Sequence, residues 1–192
     1  NIPKIKGLNT YKGKYYHTGR WPKKKVNLKD QVIAQIGTGS SGIQVAPEIA
    51  KVVKKLVIFQ RTPNYSIPAR NKKLTKEIIN NYLKNYEKIK KLIKKTPGGH
   101  TFSFPNRSVF DFSKIERDKI FEKAWSKGSL AFRACFGDIT KNLKANEKAS
   151  KFIKEKILKI VKDKKIAKIL TNFDHPFTSK RPTLNTNYYE TF

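Results

Sequence analysis

Apolar residues in this chain gather in a few short runs, separated by long stretches in which lysine is interleaved with isoleucine, leucine and aromatic residues. The densest run, Val32-Ile33-Ala34-Gln35-Ile36, is short, rich in β-branched residues and closed by Gly37. It predicts a buried parallel strand in which Gln35 is the discordant residue. Leu56-Val57-Ile58-Phe59 predicts a second buried strand. Between them a glycine-rich turn at 37–42 leads into a helix expected over Ile43–Lys55, although Pro47 removes a backbone donor there. Strand, turn, helix and strand within about 30 residues form a compact βαβ unit.

The period changes after Asn71. Leu74, Ile78, Ile79, Tyr82, Tyr86, Ile89 and Ile93 recur at helical spacing and predict one amphipathic helix that stops before Pro97-Gly98-Gly99. A second helix is expected over 114–127, with Ile120, Phe121, Ala124 and Trp125 on one side. A third is expected over Lys148–Val161, carrying Phe152, Ile153, Ile157, Ile160 and Val161. Residues 1–25, with Gly7, Gly13, Gly19, Pro22 and a Tyr15-Tyr16-His17 cluster, read as loops and short extended segments. The last twenty residues lose periodicity around Pro176 and Pro182.

Composition adds limits. At 192 residues and 38% hydrophobic the chain can bury a core, which excludes general disorder. Lys+Arg total 43 against 14 Asp+Glu, a net charge of +29, but 36 of the 43 are lysine. Arginine is the residue that bidentate phosphate and guanine recognition favours, so the lysine excess beside 20 Ile and 14 Asn reads as a composition bias. A functional basic surface is the other reading. The lone Cys135 excludes a disulfide framework within the chain and suits a reducing, cytoplasmic setting. No apolar run approaches the roughly 18 residues of a membrane span, and the N-terminal NIPKIKG lacks a signal-peptide core. His100 and His175 lack carboxylate or cysteine neighbours at ligand spacing, so no metal site is expected.

Gly37-Thr38-Gly39-Ser40-Ser41-Gly42 fits G-x-G-x-x-G between a predicted strand and a predicted helix. Gly37 permits a tight turn, Gly39 lets backbone approach a pyrophosphate, and Gly42 lets helix and strand pack closely. The helix start then offers free N–H groups to phosphates. An ordinary glycine-rich turn is the alternative. There is no acid between Glu48 and Glu77 to bind a ribose 2′-hydroxyl, and the second strand ends in Gln60-Arg61-Thr62. A guanidinium there suits a 2′-phosphate, so NADP is the expected cofactor. Otherwise Arg61 is a solvated surface cation.

Tyr11 to Pro22 (YKGKYYHTGRWP) resembles the F-x-G-x-x-x-H-x-x-x-W-P signature of Baeyer–Villiger monooxygenases, with Tyr11 in place of Phe. Gly37–Pro47 (GTGSSGIQVAP), Phe59–Asn71 (FQRTPNYSIPARN) and His175–Phe192 (HPFTSKRPTLNTNYYETF) resemble the same family in the same order. The resemblance implies a flavoprotein that holds FAD in one dinucleotide domain and NADPH in a second, and that uses O2 to oxygenate a ketone or a heteroatom. It implies that Gly37, Thr38, Gly39, Ser40, Ser41, Gly42 and Gln44 hold NADP, and that Arg61 and Thr62 read its 2′-phosphate with help from Lys180. Arg181 matches the family arginine that supports the flavin when it reacts with O2, and is the expected catalytic residue. Gly13, His17, Trp21 and Pro22 match the signature, whose histidine sits by the interdomain linker. His17 has an equal claim to being a satisfied structural histidine. Thr178 stands where the family often has Gly, and Lys6 where Pro is usual.

The expected fold class is α/β, a Rossmann-like dinucleotide-binding domain with a helical insertion. Residues 1–25 form the linker segment with the signature, 26–71 the NADP-binding half, 72–171 the helical insertion and 172–192 the return segment with the arginine. With no second G-x-G-x-x-G and no Met in the sequence, an internal fragment is expected, with the FAD site largely outside it. Partners are then a small-molecule substrate and O2, with no nucleic acid. The competing class is a basic module for nucleic acid or a membrane surface, because Lys72–Lys95 puts nine lysines on one amphipathic stretch.

Overall fold

Strand β1 (Val32–Ile36) pairs in parallel with β2 (Lys55–Phe59), Val32 opposite Lys55 and Ile36 opposite Phe59. The structure is a computed structural model and describes residues 2–96 and 98–192. Both strands were expected to be buried, and here the structure differs. Val32 is 63% exposed, Ile36 71% and Phe59 57%, because one face of this two-stranded sheet carries no covering layer among the described residues. The other face packs on α1 (Ser40–Ala50).

Helix α1 starts three residues before the expected Ile43, directly off Gly39, and ends well short of Lys55. Its end is set by the strand it must reach: the Lys54 and Lys55 amides both donate to the Gln31 carbonyl, at 2.9 and 3.3 Å, which turns the chain into β2. Pro47 lies inside the helix and is buried there. The missing N–H leaves one carbonyl a turn earlier without its helical donor, and the ring packs into the core.

The single amphipathic helix expected after Asn71 is two helices, α2 (Lys76–Lys84) and α3 (Tyr86–Lys95). They divide at Asn85, whose side chain folds back 2.9 Å from the Asn81 carbonyl, the local competition that asparagine offers a helix. Pro97, expected to follow the helix end, lies outside the described residues, as does Asn1. Helix α4 (Lys114–Lys127) has the expected bounds, opened by a Ser113–Glu116 capping box and closed by Gly128 at φ 69°. Helix α5 (Leu143–Ile160) begins five residues before Lys148, because Asn142 caps it by accepting from the Ala145 amide at 3.1 Å. Helix α6 (Lys164–Leu170) was not expected; Asp163 caps it through the Lys165 and Ile166 amides.

The return segment also holds more structure than its lost periodicity predicts. Strand β4 (Thr183–Asn185) pairs in parallel with β3 (Ser66–Pro68), and three residues are too few to show a period of two. The fold is thus mixed helix and strand, with two separate two-stranded parallel sheets among the described residues. One core serves it all. Ile43 and Ala46 of α1, Ile67 of β3, Phe121 and Trp125 of α4, Ile153 and Ile157 of α5, and Phe177 and Tyr189 of the return segment belong to one buried cluster. Phe121, Phe132 and Phe152 stack at its centre. Cys135 is buried beside them, and burial pushes its thiol up to about 12, the behaviour of an inert packing residue.

Asn146 of α5 locks the return segment onto this core. Its amide nitrogen donates to the Ile139 and Phe177 carbonyls at 2.9 and 2.7 Å. Its oxygen accepts from the Phe177 amide and the Ser150 hydroxyl. That register fixes where the Ser179-Lys180-Arg181 stretch leaves the core.

Candidate functional site

The glycine turn begins where β1 ends. Gly37 adopts φ 95°, a region that disfavours side chains, and its amide donates to the Phe59 carbonyl at 2.9 Å, which ties the turn to the end of β2. A Cβ on Gly42 would lie 2.5 Å from the Gly37 carbonyl oxygen, so no side chain fits there. A Cβ on Gly39 would meet nothing within 4 Å. Gly39 caps α1 with no side-chain hydrogen bond, and the first turn of α1 has no acid. The turn therefore presents free N–H groups and a positive helix end to open space, the donor set that can hold a pyrophosphate. Thr38 is half-buried, while Ser40, Ser41 and Gln44 are exposed.

Gln35 supplies what the apolar pattern did not explain. Its amide nitrogen lies 3.0 Å from the Gly37 carbonyl and 3.2 Å from that of Gly42, so one side chain staples both ends of the turn from beneath. Its oxygen is buried without a partner. The signal was present in the sequence, as a polar residue inside an apolar run.

Arg61 and Thr62 follow β2 at a bend, Arg61 exposed and Thr62 half-buried. Three residues on, the Asn64 amide nitrogen donates to the Arg181 carbonyl at 3.0 Å, and the Thr183 amide donates to the Tyr65 carbonyl at 3.0 Å. These bonds bring the Asn64–Tyr65 segment that follows Arg61 and Thr62 alongside the Arg181–Thr183 stretch, although over a hundred residues separate them in sequence. Lys180 pairs with Asp174 at 3.3 Å, and the Arg181 side chain is exposed. His175 has a carboxylate neighbour after all: its Nδ1 lies 2.5 Å from Asp174 Oδ1. The His175 hydrogen bond, and Lys180 after it, hold the Asp174 carboxyl below the usual carboxylate range. Asn64, Asp174 and His175 were not expected at the site.

The signature residues are placed differently. No residue from 2 to 25 is buried. His17 Nδ1 accepts from the Gly19 amide at 3.1 Å and caps its own 3-10 turn, and Trp21 packs on Tyr16 with ring centres 5.6 Å apart. Pro22 is half-buried, and Gly13 is exposed. None of these residues makes a hydrogen bond to the glycine turn or to the Arg181 stretch among the described residues. Thr178, at the position where glycine is usual in the resembled family, adopts φ 74°, a conformation glycine accepts without strain.

No family model matches the chain. Individual proteins do. It is 39% identical over 195 residues to cyclohexanone 1,2-monooxygenase of an Acinetobacter species, covering all of this chain and 35% of that protein. It is 35% identical over 194 residues to phenazine N-monooxygenase PhzNO1 of Lysobacter antibioticus, again covering all of this chain and 35% of the relative. A crystal structure of OTEMO in complex with FAD and NADP superposes with a TM-score of 0.96 at 34% identity, covering all of this chain and 37% of that one. The chain thus spans about a third of the length of the relatives it matches. No helix among the described residues is long and apolar enough to cross a membrane.

Proposed function

We propose, from the premise that this chain belongs to the Baeyer–Villiger monooxygenase family, that it supplies the NADPH-binding face of an FAD-dependent monooxygenase. The observation that carries the reading is the uncapped start of α1 opening onto free space at Gly39, next to an acid-free strand end with Arg61. In this reading residues 26–71 are a Rossmann-like half, 72–171 a helical insertion and 172–192 the return segment. The overall reaction is ketone + O2 + NADPH + H+ giving ester or lactone + NADP+ + H2O, or the matching oxygenation of a heteroatom. FAD, its site largely outside residues 1–192, and NADPH supply the redox chemistry when bound.

The chain's own residues bind and orient. The N–H groups of the Gly37–Gly42 turn and the Ser40 and Ser41 hydroxyls hold the pyrophosphate, and Gln44 lies along the same helix. Arg61, Thr62 and Lys180 bind the 2′-phosphate, the arginine by a charge-assisted fork. Arg181 contributes a permanent positive charge toward the reacting centre, where a fixed cation stabilises developing negative charge. Support comes from the Asn64–Arg181 link three residues beyond Arg61, from the Lys180–Asp174 pair, and from the complex of OTEMO with both FAD and NADP.

Calorimetry tests this on the chain itself. NADP+ should bind at least about tenfold more tightly than NAD+, the effect of one arginine–phosphate pair, and Arg61→Ala should remove the difference. Equal affinity for both dinucleotides in the unaltered chain would overturn the cofactor assignment.

A further inference from the structure

The His175 side chain is 93% buried by its 7% exposure, and both ring nitrogens are engaged. Nδ1 faces the Asp174 carboxylate at 2.5 Å, and Nε2 faces Asn64 Oδ1 at 3.2 Å. The orientation of Asn64 is settled by its other end: its amide nitrogen donates to the Arg181 carbonyl at 3.0 Å, which leaves the oxygen toward the ring. A carboxylate accepts, and an amide oxygen accepts. A neutral imidazole has one N–H and can serve one of these partners; the imidazolium serves both. The ring is held from its other sides as well. The Tyr65 hydroxyl donates to the His175 carbonyl at 3.1 Å, and the Tyr65 and His175 rings meet edge to face.

We propose that His175 acts as a positioning residue that, when protonated, donates from both ring nitrogens, and so with Asn64 fixes the Arg181 backbone and through Asp174 fixes the Lys180 ammonium. The hub links the two cations that the reading above assigns to different tasks, Lys180 to the 2′-phosphate and Arg181 to the oxygen chemistry. This inference rests on that reading for its consequence in ligand binding, but not for its protonation chemistry. The titratable or charged groups facing His175 are Asp174 directly, Lys180 beyond it, and Tyr65 across its carbonyl; Arg181 joins through its backbone. When the ring loses a proton and keeps the one toward Asp174, the Nε2 lone pair faces the Asn64 oxygen. That contact is repulsive, so the amide turns away and the Arg181 carbonyl loses its donor.

The test uses the chain with 15N-labelled histidine and asparagine side chains, followed by NMR between about pH 5.5 and 8.5. His17→Gln and His100→Gln assign the three histidines. At the acid end both His175 nitrogens should carry protons, and the Asn64 carboxamide signals should shift with the same midpoint as the His175 ring. An Asn64 carboxamide blind to that titration, or a neutral pattern at His175 throughout, would overturn the proposal. Calorimetry with NADP+ then reads the consequence. Affinity should weaken by about three- to tenfold as His175 loses its proton, while His175→Gln and Asn64→Ser show no such step. The same step in both variants would also refute the hub. If the unaltered chain fails to bind NADP+ at all, the cofactor reading falls, and the NMR coupling still decides the role of His175.

Discussion

At the scale of single residues, the glycines of the turn were readable because each is demanded by backbone geometry alone. Gly37 takes a positive φ, and Gly42 has a carbonyl where its side chain would be. The residues that hold the site together were not readable in the same way. Asn64 and His175 are 111 positions apart, and the β3–β4 pairing together with the Tyr65–His175 and Asn64–Arg181 bonds brings them into contact. Gln35 falls between the two cases, since its polarity marked it as unusual without saying what it does. The structure gives it a staple's role, with a donor on two carbonyls and a buried acceptor left over. Gln35→Leu therefore removes two hydrogen bonds from the turn and one unsatisfied atom from the interior, terms of similar size and opposite sign. Thermal stability should change little, while NADP+ affinity should fall by about three- to tenfold because the turn is no longer held in its binding shape. A lowered melting temperature with unchanged affinity would show that Gln35 serves packing alone.

At the scale of elements, legibility followed length and periodicity. Helix α4 has its expected bounds because its pattern runs over 14 residues between a capping box and a glycine. Strands β3 and β4, at three residues each, carry too little pattern to be seen, and they exist because the core holds their chains side by side. The Asn146 lock is what keeps the return strand there. It makes four hydrogen bonds, all to groups on Ile139, Ser150 and Phe177 that lie in or beside the core. Asn146→Ala leaves the Phe177 amide and carbonyl without partners in a dry site, a loss on the order of 2–4 kcal/mol. Urea unfolding measures it directly, and limited proteolysis near Ser179 should accelerate in parallel. A loss below about 1 kcal/mol would mean that burial of the Phe177 ring, and not the amide network, holds β4 in place.

At the scale of the whole molecule, two properties pull against each other. The net charge of +29 repels one copy from another, whereas the bare face of β1 and β2 and the unburied helices α2 and α3 offer apolar surface to any neighbour. The sequence displayed the charge plainly. It could not display the bare face, because Val32, Ile36 and Phe59 have the pattern of a buried strand and only the fold shows them exposed. Salt separates the two forces. Raising it from about 0.15 M to 1 M shortens the Debye length from about 8 to 3 Å and screens the repulsion, while apolar attraction is retained. Sedimentation velocity should therefore show the chain as monomer at low salt and as a concentration-dependent oligomer at high salt. The double variant Ile36→Thr, Phe59→Thr should suppress the association yet melt at nearly the same temperature, since both side chains are largely exposed already. A basic module built for a polyanion behaves oppositely. Its complexes with co-purified nucleic acid would be large at low salt and dissolve as salt releases the counterion advantage. Association that falls with salt would thus undercut the apolar-face account and return the lysine-rich α2–α3 stretch to the centre of the argument.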